Sequence, residues 1–300
     1  MIDIPIKKRR PGEAVHVDTT GPITMVCYGE SRSGKTAFGA TMERPLVLAD
    51  ATEGGWTTIQ TMDQNLWYEP DVEPIVWGIK TITDVPAAIQ RAQPLIASGR
   101  IKSLVFSSIT FYADLYLKFL TDTMGGANAD NRKVYGALGV HLRQLRVDIH
   151  NLGLNTSWEA LVQEADDEHP KARPAIPGNQ GPKFAAGCSY LFYFNRTVTA
   201  ARPGAPGTPA IPAQQKFEIR TAQFGKYIAG GRDGGVLADP LPGRTFRDLQ
   251  NALSRGINTP VASVPSTPGG EAPAASPIAS PAAVSPGVAP AKRVFRRPGS

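Results

Sequence analysis

At 300 residues and 41% hydrophobic, the chain has material for one large α/β domain or two small ones. No apolar run approaches the roughly 18 residues that suggest a membrane span, so no membrane association is expected. The net charge of +6 sits largely at the ends, where Lys7, Lys8, Arg9 and Arg10 face three acids and Lys292, Arg293, Arg296 and Arg297 face Glu271 alone. The body between is nearly neutral, so bulk charge does not mark a nucleic-acid binder.

The opening "MIDIPIKKRRPGE" has no apolar stretch behind its basic cluster and is not read as a secretory leader. Residues 1–20 are taken as an N-terminal extension. Strand-like and helix-like segments then alternate. Strands are expected at 23–28, 45–50, 73–79 and 103–108, rich in Val, Ile, Leu or Phe and bounded by turn residues. Helices are expected at 35–42, 83–98, 109–123 and 134–151; in the last, Leu138, Leu142, Leu145 and Ile149 share a face. "GLNTSW" reads as a further strand, followed by a connector to about residue 186. "CSYLFYFNRTVT" and "QKFEIRTAQF" read as two late strands, with Phe192, Tyr193 and Phe194 as core. Their joint, "AARPGAPGTPAIPA", is too rich in Pro for a tight hairpin and is expected to be a floppy excursion. Such alternation predicts an α/β fold with a mainly parallel sheet flanked by helices, over residues 21–256.

From about Ile257 the composition changes to Pro, Ala, Ser and Gly, which cannot bury enough apolar surface to offset its ordering entropy. Residues 257–300 are expected to be a disordered tail. It ends in "AKRVFRRPGS", with Phe295 among four cations. That end is either a solubilising terminus or a tethered docking peptide for DNA or a replication or recombination protein.

The chemistry concentrates in "YGESRSGKT". Gly29, Gly34, Lys35 and Thr36 meet the phosphate-loop pattern G-x-x-x-x-G-K-[ST], after an apolar strand and before a helical segment. The glycines allow turns that aim backbone N–H groups of Glu30, Ser31, Arg32, Ser33, Gly34, Lys35 and Thr36 at phosphate oxygens. The following helix adds its positive end. Lys35 would reach the β- and γ-phosphates, and the Thr36 hydroxyl would ligate magnesium. ATP and Mg2+ are the expected ligands, and the sequence does not separate ATP from GTP.

A magnesium nucleotide also needs acids. The strand "SLVFSS" carries Ser107 and Ser108 where an ATPase of this kind places an Asp. A hydroxyl there can accept a hydrogen bond from a metal-bound water but brings no charge. Three other acids stand near strand ends, outside which open parallel sheets bind ligands: Asp50 and Glu53 in "LADATEGG", and Glu159 in "NTSWEA". Glu53 is the expected residue for polarising the attacking water. Asp50 or Glu159 could supply the missing magnesium contact.

The succession "GESRSGKT", "PLVLADATEGG", "SLVFSSIT", "LNTSWE" and "RPAIPGNQGPKFAAGCSYLFYF" resembles the RecA-like P-loop ATPases of bacteriophages, over roughly residues 21–250. The resemblance implies ATP hydrolysis coupled to single-stranded DNA in annealing, recombination or replication, and location in the host cytoplasm. It implies that Glu53 is the catalytic glutamate and that Glu159, beside Trp158, senses the γ-phosphate. It also implies rings or filaments in which a neighbour's cation completes the site, with Arg196, Arg220, Lys226 and Arg232 as candidates. Mobile DNA-contacting loops would fall in 160–186, acidic in its first half, with Lys171, Arg173 and Lys183 in its second. Ser107-Ser108 departs from the family's Asp-Ser, so a nucleotide-gated DNA-binding or scaffolding protein with little turnover is the alternative. A motor subunit acting on something other than DNA is a third reading.

Cys27 and Cys188 lie in apolar runs and read as buried free thiols of a reducing compartment. His16, His141, His150 and His169 show no metal-ligand spacing with them, so no structural zinc is expected.

Overall fold

The structure, a computed structural model, describes residues 21–50, 55–200, 214–233 and 235–256. The expected N-terminal extension, the floppy excursion at 201–213 and the C-terminal tail lie outside the described residues. Contacts divide the chain into two units, Met1–Val261 and Ala262–Ser300, and every described residue belongs to the first.

Strand β1 (Thr24–Gly29) runs into helix α1 (Lys35–Ala40) and then β2 (Pro45–Asp50). Helix α2 (Gly55–Thr61) leads to β3 (Ile75–Ile79), α3 (Asp84–Ala97) and β4 (Ser103–Ser107). Two long helices follow, α4 (Ile109–Thr123) and α5 (Asn131–His150), before β5 (Asn155–Gln163). The rest comprises β6 (Arg173–Pro174), α6 (Gln180–Ala185), β7 (Tyr190–Thr199), β8 (Gln214–Arg220), β9 (Gly230–Gly231) and α7 (Phe246–Gly256).

The sheet order is β3-β2-β4-β5-β1-β7-β8, with β6 on β5 and β9 on β7. All pairings from β3 through to β7 are parallel, whereas β6, β8 and β9 add antiparallel. The sheet is therefore mixed, parallel from its β3 edge through to β7 and antiparallel where β8 and the short strands β6 and β9 join it. The two late strands do pair with each other, Thr199 opposite Gln214, on either side of the Pro-rich joint.

Strand side chains alternate between two cores, as the two-residue period dictates. Val26, Tyr28, Leu48, Phe106 and Trp158 pack against α3, α4, α5 and α6, where Leu138, Leu142, Leu145 and Ile149 form the expected buried face. Met25, Cys27, Val47, Val105, Phe192 and Phe194 pack on the opposite side against Phe38 of α1, Ile59 of α2 and Phe246, Leu249 and Leu253 of α7. Tyr193 faces the first core, so all three late-strand aromatics are buried as expected. Both cysteines are free and buried. Burial pushes the Cys27 thiol well above its ordinary range and the Cys188 thiol up to about 12, which leaves little thiolate.

Several elements differ from expectation. The strand at "GLNTSW" begins at Asn155 and runs on to Gln163, and the supposed connector to residue 186 contains β6 and α6. Helix α5 starts at Asn131, three residues early, because the Asp130 side chain accepts a hydrogen bond from the Arg132 N–H. Among the described residues no helix is long and apolar enough to cross a membrane.

Candidate functional site

The loop 29–36 leaves the carboxyl end of β1, the strand between β5 and β7. Gly29 is required by packing: a Cβ there would stand 2.4 Å from the Phe194 carbonyl oxygen of β7. Gly34 has φ +96°, the left-handed region that suits glycine, and Arg32 shares that region at φ 62°. Lys35 is buried and turned back along its own loop. Its Nζ donates to the Gly29 carbonyl at 3.0 Å, the Glu30 carbonyl at 2.7 Å and Ser33 Oγ at 3.3 Å.

Thr36 is the junction between the loop and the sheet. Its hydroxyl donates to Glu159 Oε2 at 2.7 Å and lies 3.3 Å from Ser107 Oγ. Ser107 and Glu159 are register partners at the carboxyl ends of β4 and β5. Glu159 is 1% exposed, and its Oε1 is buried without a hydrogen-bond partner. Burial pushes this carboxyl above the usual carboxylate range, opposed by the Thr36 and Ser107 hydroxyls and by the charge of Lys35. Gly39, one turn along α1, makes room for it: a Cβ there would come 2.9 Å from Oε1 and 2.7 Å from a Val105 methyl.

These groups open on a cavity of about 690 Å³. Ser31, Arg32, Ser33, Gly34, Lys35 and Thr36 line it from the loop, Ser107 and Ser108 from the end of β4, and Glu159 and Leu161 from β5. Ala37 of α1, Thr57, Thr58 and Thr61 of α2 and Phe217 of β8 complete it. The Ser107–Ser108 peptide bond is cis, and Ser108 caps α4 by accepting from the Phe111 N–H. A largely apolar recess of about 370 Å³ shares the wall formed by Ser33, Gly34, Ala37 and Phe217; Phe38, Met62, Leu66, Phe194 and Ile219 line the rest, with Thr41, Glu218, Arg244 and Thr245 among them. The Arg244 guanidinium lies 5.5 Å from the Phe217 ring centroid.

Of the sequence-predicted site residues, the structure brings together Lys35, Thr36, Ser107 and Glu159. Asp50 closes β2, which is separated from β1 by β4 and β5, and its side chain lies outside the described set. Glu53 lies outside the described residues altogether. Sequence reasoning missed Gly39, Phe217 and the threonines of α2. Only "TTIQT", a polar run just after the Asp50–Glu53 segment, carried a hint of the last.

The four candidate cations are mostly engaged within the chain. Arg220 pairs with Glu218 at 2.7 Å and Asp239 at 3.4 Å and covers the Phe224 ring, Lys226 pairs with Glu164, and Arg232 donates to the Ala186 carbonyl. Arg196 is half-buried, its Nε without a hydrogen-bond partner. In the 160–186 segment, Lys171 donates to Gln223 and Arg173 is buried in β6 with its Nε on Gln163, while Lys183 is exposed. The chain matches no family model and no curated protein.

Proposed function

We propose that this protein is a RecA-like nucleoside triphosphatase, of the kind the phage ATPases represent, that binds ATP with magnesium and couples that state to single-stranded DNA. The observation that carries the reading is the meeting, at the carboxyl end of a central parallel strand, of a G-x-x-x-x-G-K-T loop with a buried carboxylate. In this reading the loop amides cradle the phosphates and Lys35 gives up part of its contact with the loop carbonyls to meet them. The adjoining apolar recess receives the base, against the Phe217 ring. Magnesium fits beside the Thr36 hydroxyl, since a buried carboxylate oxygen without a donor is suited to a hard cation. There it would offset phosphate charge as the bond to the leaving group breaks. Glu53 orients the attacking water, and self-association would add a neighbour's cation.

Phosphate release from ATP and magnesium, with and without single-stranded DNA, tests this. Release by the wild type should rise with DNA and be abolished in Lys35→Ala and Glu53→Gln. Phe217→Ala should raise the nucleotide concentration for half-maximal release without abolishing it. Lys35→Ala also removes hydrogen bonds inside the loop, so Glu53→Gln, which leaves the loop sequence intact, separates lost turnover from lost binding.

One observation favours a second reading. The end of β4 offers hydroxyls where an acid would hold the metal-bound water, which suits a nucleotide-gated DNA-binding or scaffolding protein with little turnover. Nucleotide bound by the wild type without phosphate release, DNA present or absent, would select that reading. Release indifferent to DNA would point instead to a motor acting on something else.

A further inference from the structure

We propose that the carboxylate serving the nucleotide's magnesium has been transferred to the neighbouring strand: Glu159 of β5 takes the part that an acid at the end of β4, where Ser107 stands, would otherwise play. The inference rests on the reading that the loop binds a nucleoside triphosphate.

Register makes the transfer possible. Ser107 and Glu159 are cross-strand partners, so their side chains leave the sheet side by side on one face. That face is the one α1 covers, since Val105, two residues before Ser107, packs there with Phe38. The hydroxyl expected to hold the metal, Thr36 Oγ1, touches both positions, at 2.7 Å to the glutamate and 3.3 Å to the serine. Of the two oxygens that Glu159 offers, one is bonded to Thr36 and the other is buried with no hydrogen-bond partner. Such a group is costly in a folded protein unless a cation completes it. Room for the carboxylate itself is built in, because α1 carries glycine at position 39, where any Cβ would press on Oε1.

The other acid open to this role is less well placed. Asp50 ends β2, and two strands, β4 and β5, stand between it and the strand that feeds the loop. Strand β5 adjoins β1 directly. Magnesium takes one or two protein ligands beside substrate phosphates, so Thr36 and Glu159 form a sufficient set.

The test is the affinity of a fluorescent ATP analogue in excess magnesium and in EDTA, for wild type, Glu159→Gln, Ser107→Asp and the double variant. Removing a carboxylate that serves a metal costs about tenfold or more in metal affinity, and the magnesium-to-EDTA affinity ratio should fall accordingly, towards one, in Glu159→Gln. Moving the acid back to β4, in Glu159→Gln/Ser107→Asp, should restore it. A ratio unchanged in Glu159→Gln, with phosphate release lost, would assign Glu159 to the water and overturn the proposal. So would a double variant that stays insensitive to magnesium. Should Glu159→Gln fail to fold, Glu159→Asp is read the same way, its shorter reach from β5 lowering the ratio and an unchanged ratio overturning the proposal. A wild type that binds the analogue equally in both buffers fails this inference alone. One that binds in neither fails the nucleotide reading with it.

Discussion

Glu159 sits where a carboxylate is least comfortable, in a nearly water-free position with one oxygen unmatched. Its consequence for stability has a definite sign. Because burial raises the folded-state pKa, the folded protein binds this proton more tightly than the unfolded chain does. Between the ordinary glutamate pKa and the raised one, the folded state carries more protons, so stability falls as pH rises through that window. Glu159→Gln cannot ionise. Without nucleotide it should melt above the wild type at neutral pH, and the gap should close as pH falls towards 4.5, the reference value for glutamate. For a domain of this size each kcal/mol recovered is worth about 2–4 °C. A melting series across pH, with metal and nucleotide omitted, reads this directly. Residue types alone marked Lys35, Thr36 and Glu159, because loop pattern and strand-end position are local. The contact between Thr36 and Glu159 was not legible, since 123 residues separate them and only the strand order brings them together.

At the scale of elements, α7 is one of three described helices absent from the expected set, although its start is written in "TFRD". Thr245 Oγ1 accepts from the Asp248 N–H at 3.2 Å, while Asp248 Oδ2 accepts from the Thr245 N–H at 2.9 Å, a reciprocal capping arrangement. Behind it Phe246, Leu249 and Leu253 fall on one buried face, three and four residues apart. The Phe246 N–H donates to Thr41 at the end of α1, so the cap fixes α7 against the loop's own helix. Thr245→Ala should therefore cost about 1 kcal/mol in chemical denaturation, with the slope unchanged. Helices α2 and α6 were missed for another reason. "GWTTIQT" is rich in Thr and "QGPKFA" holds Gly and Pro, so local preference opposes both and packing decides. Strands β6 and β9 are two residues each, too short to leave any period.

For the whole molecule, the parallel centre was legible because buried parallel strands read as continuous apolar runs between helical stretches. Their order was not, because crossovers of similar length fit several arrangements. The described structure ends with α7 at Gly256, and the composition beyond it has little to contribute to either core. Removing residues 257–300 should leave the melting temperature within about 2 °C of the full chain, less than 1 kcal/mol is worth here. A larger drop would show that the tail packs on the body.

The placement of β1 also sets a timetable for synthesis. This strand leaves the ribosome well before both of its neighbours, β5 and β7. Asn155 reaches back 132 residues to the Ile23 N–H, and the Tyr28 hydroxyl waits 200 residues for the Ile228 carbonyl. Until those segments emerge, an apolar strand has two open edges, the condition in which nascent chains pair with the wrong partner. A message truncated after α5 would yield a product with the loop's full sequence and neither of the strands that flank β1, a burden for chaperones in place of a partly working site.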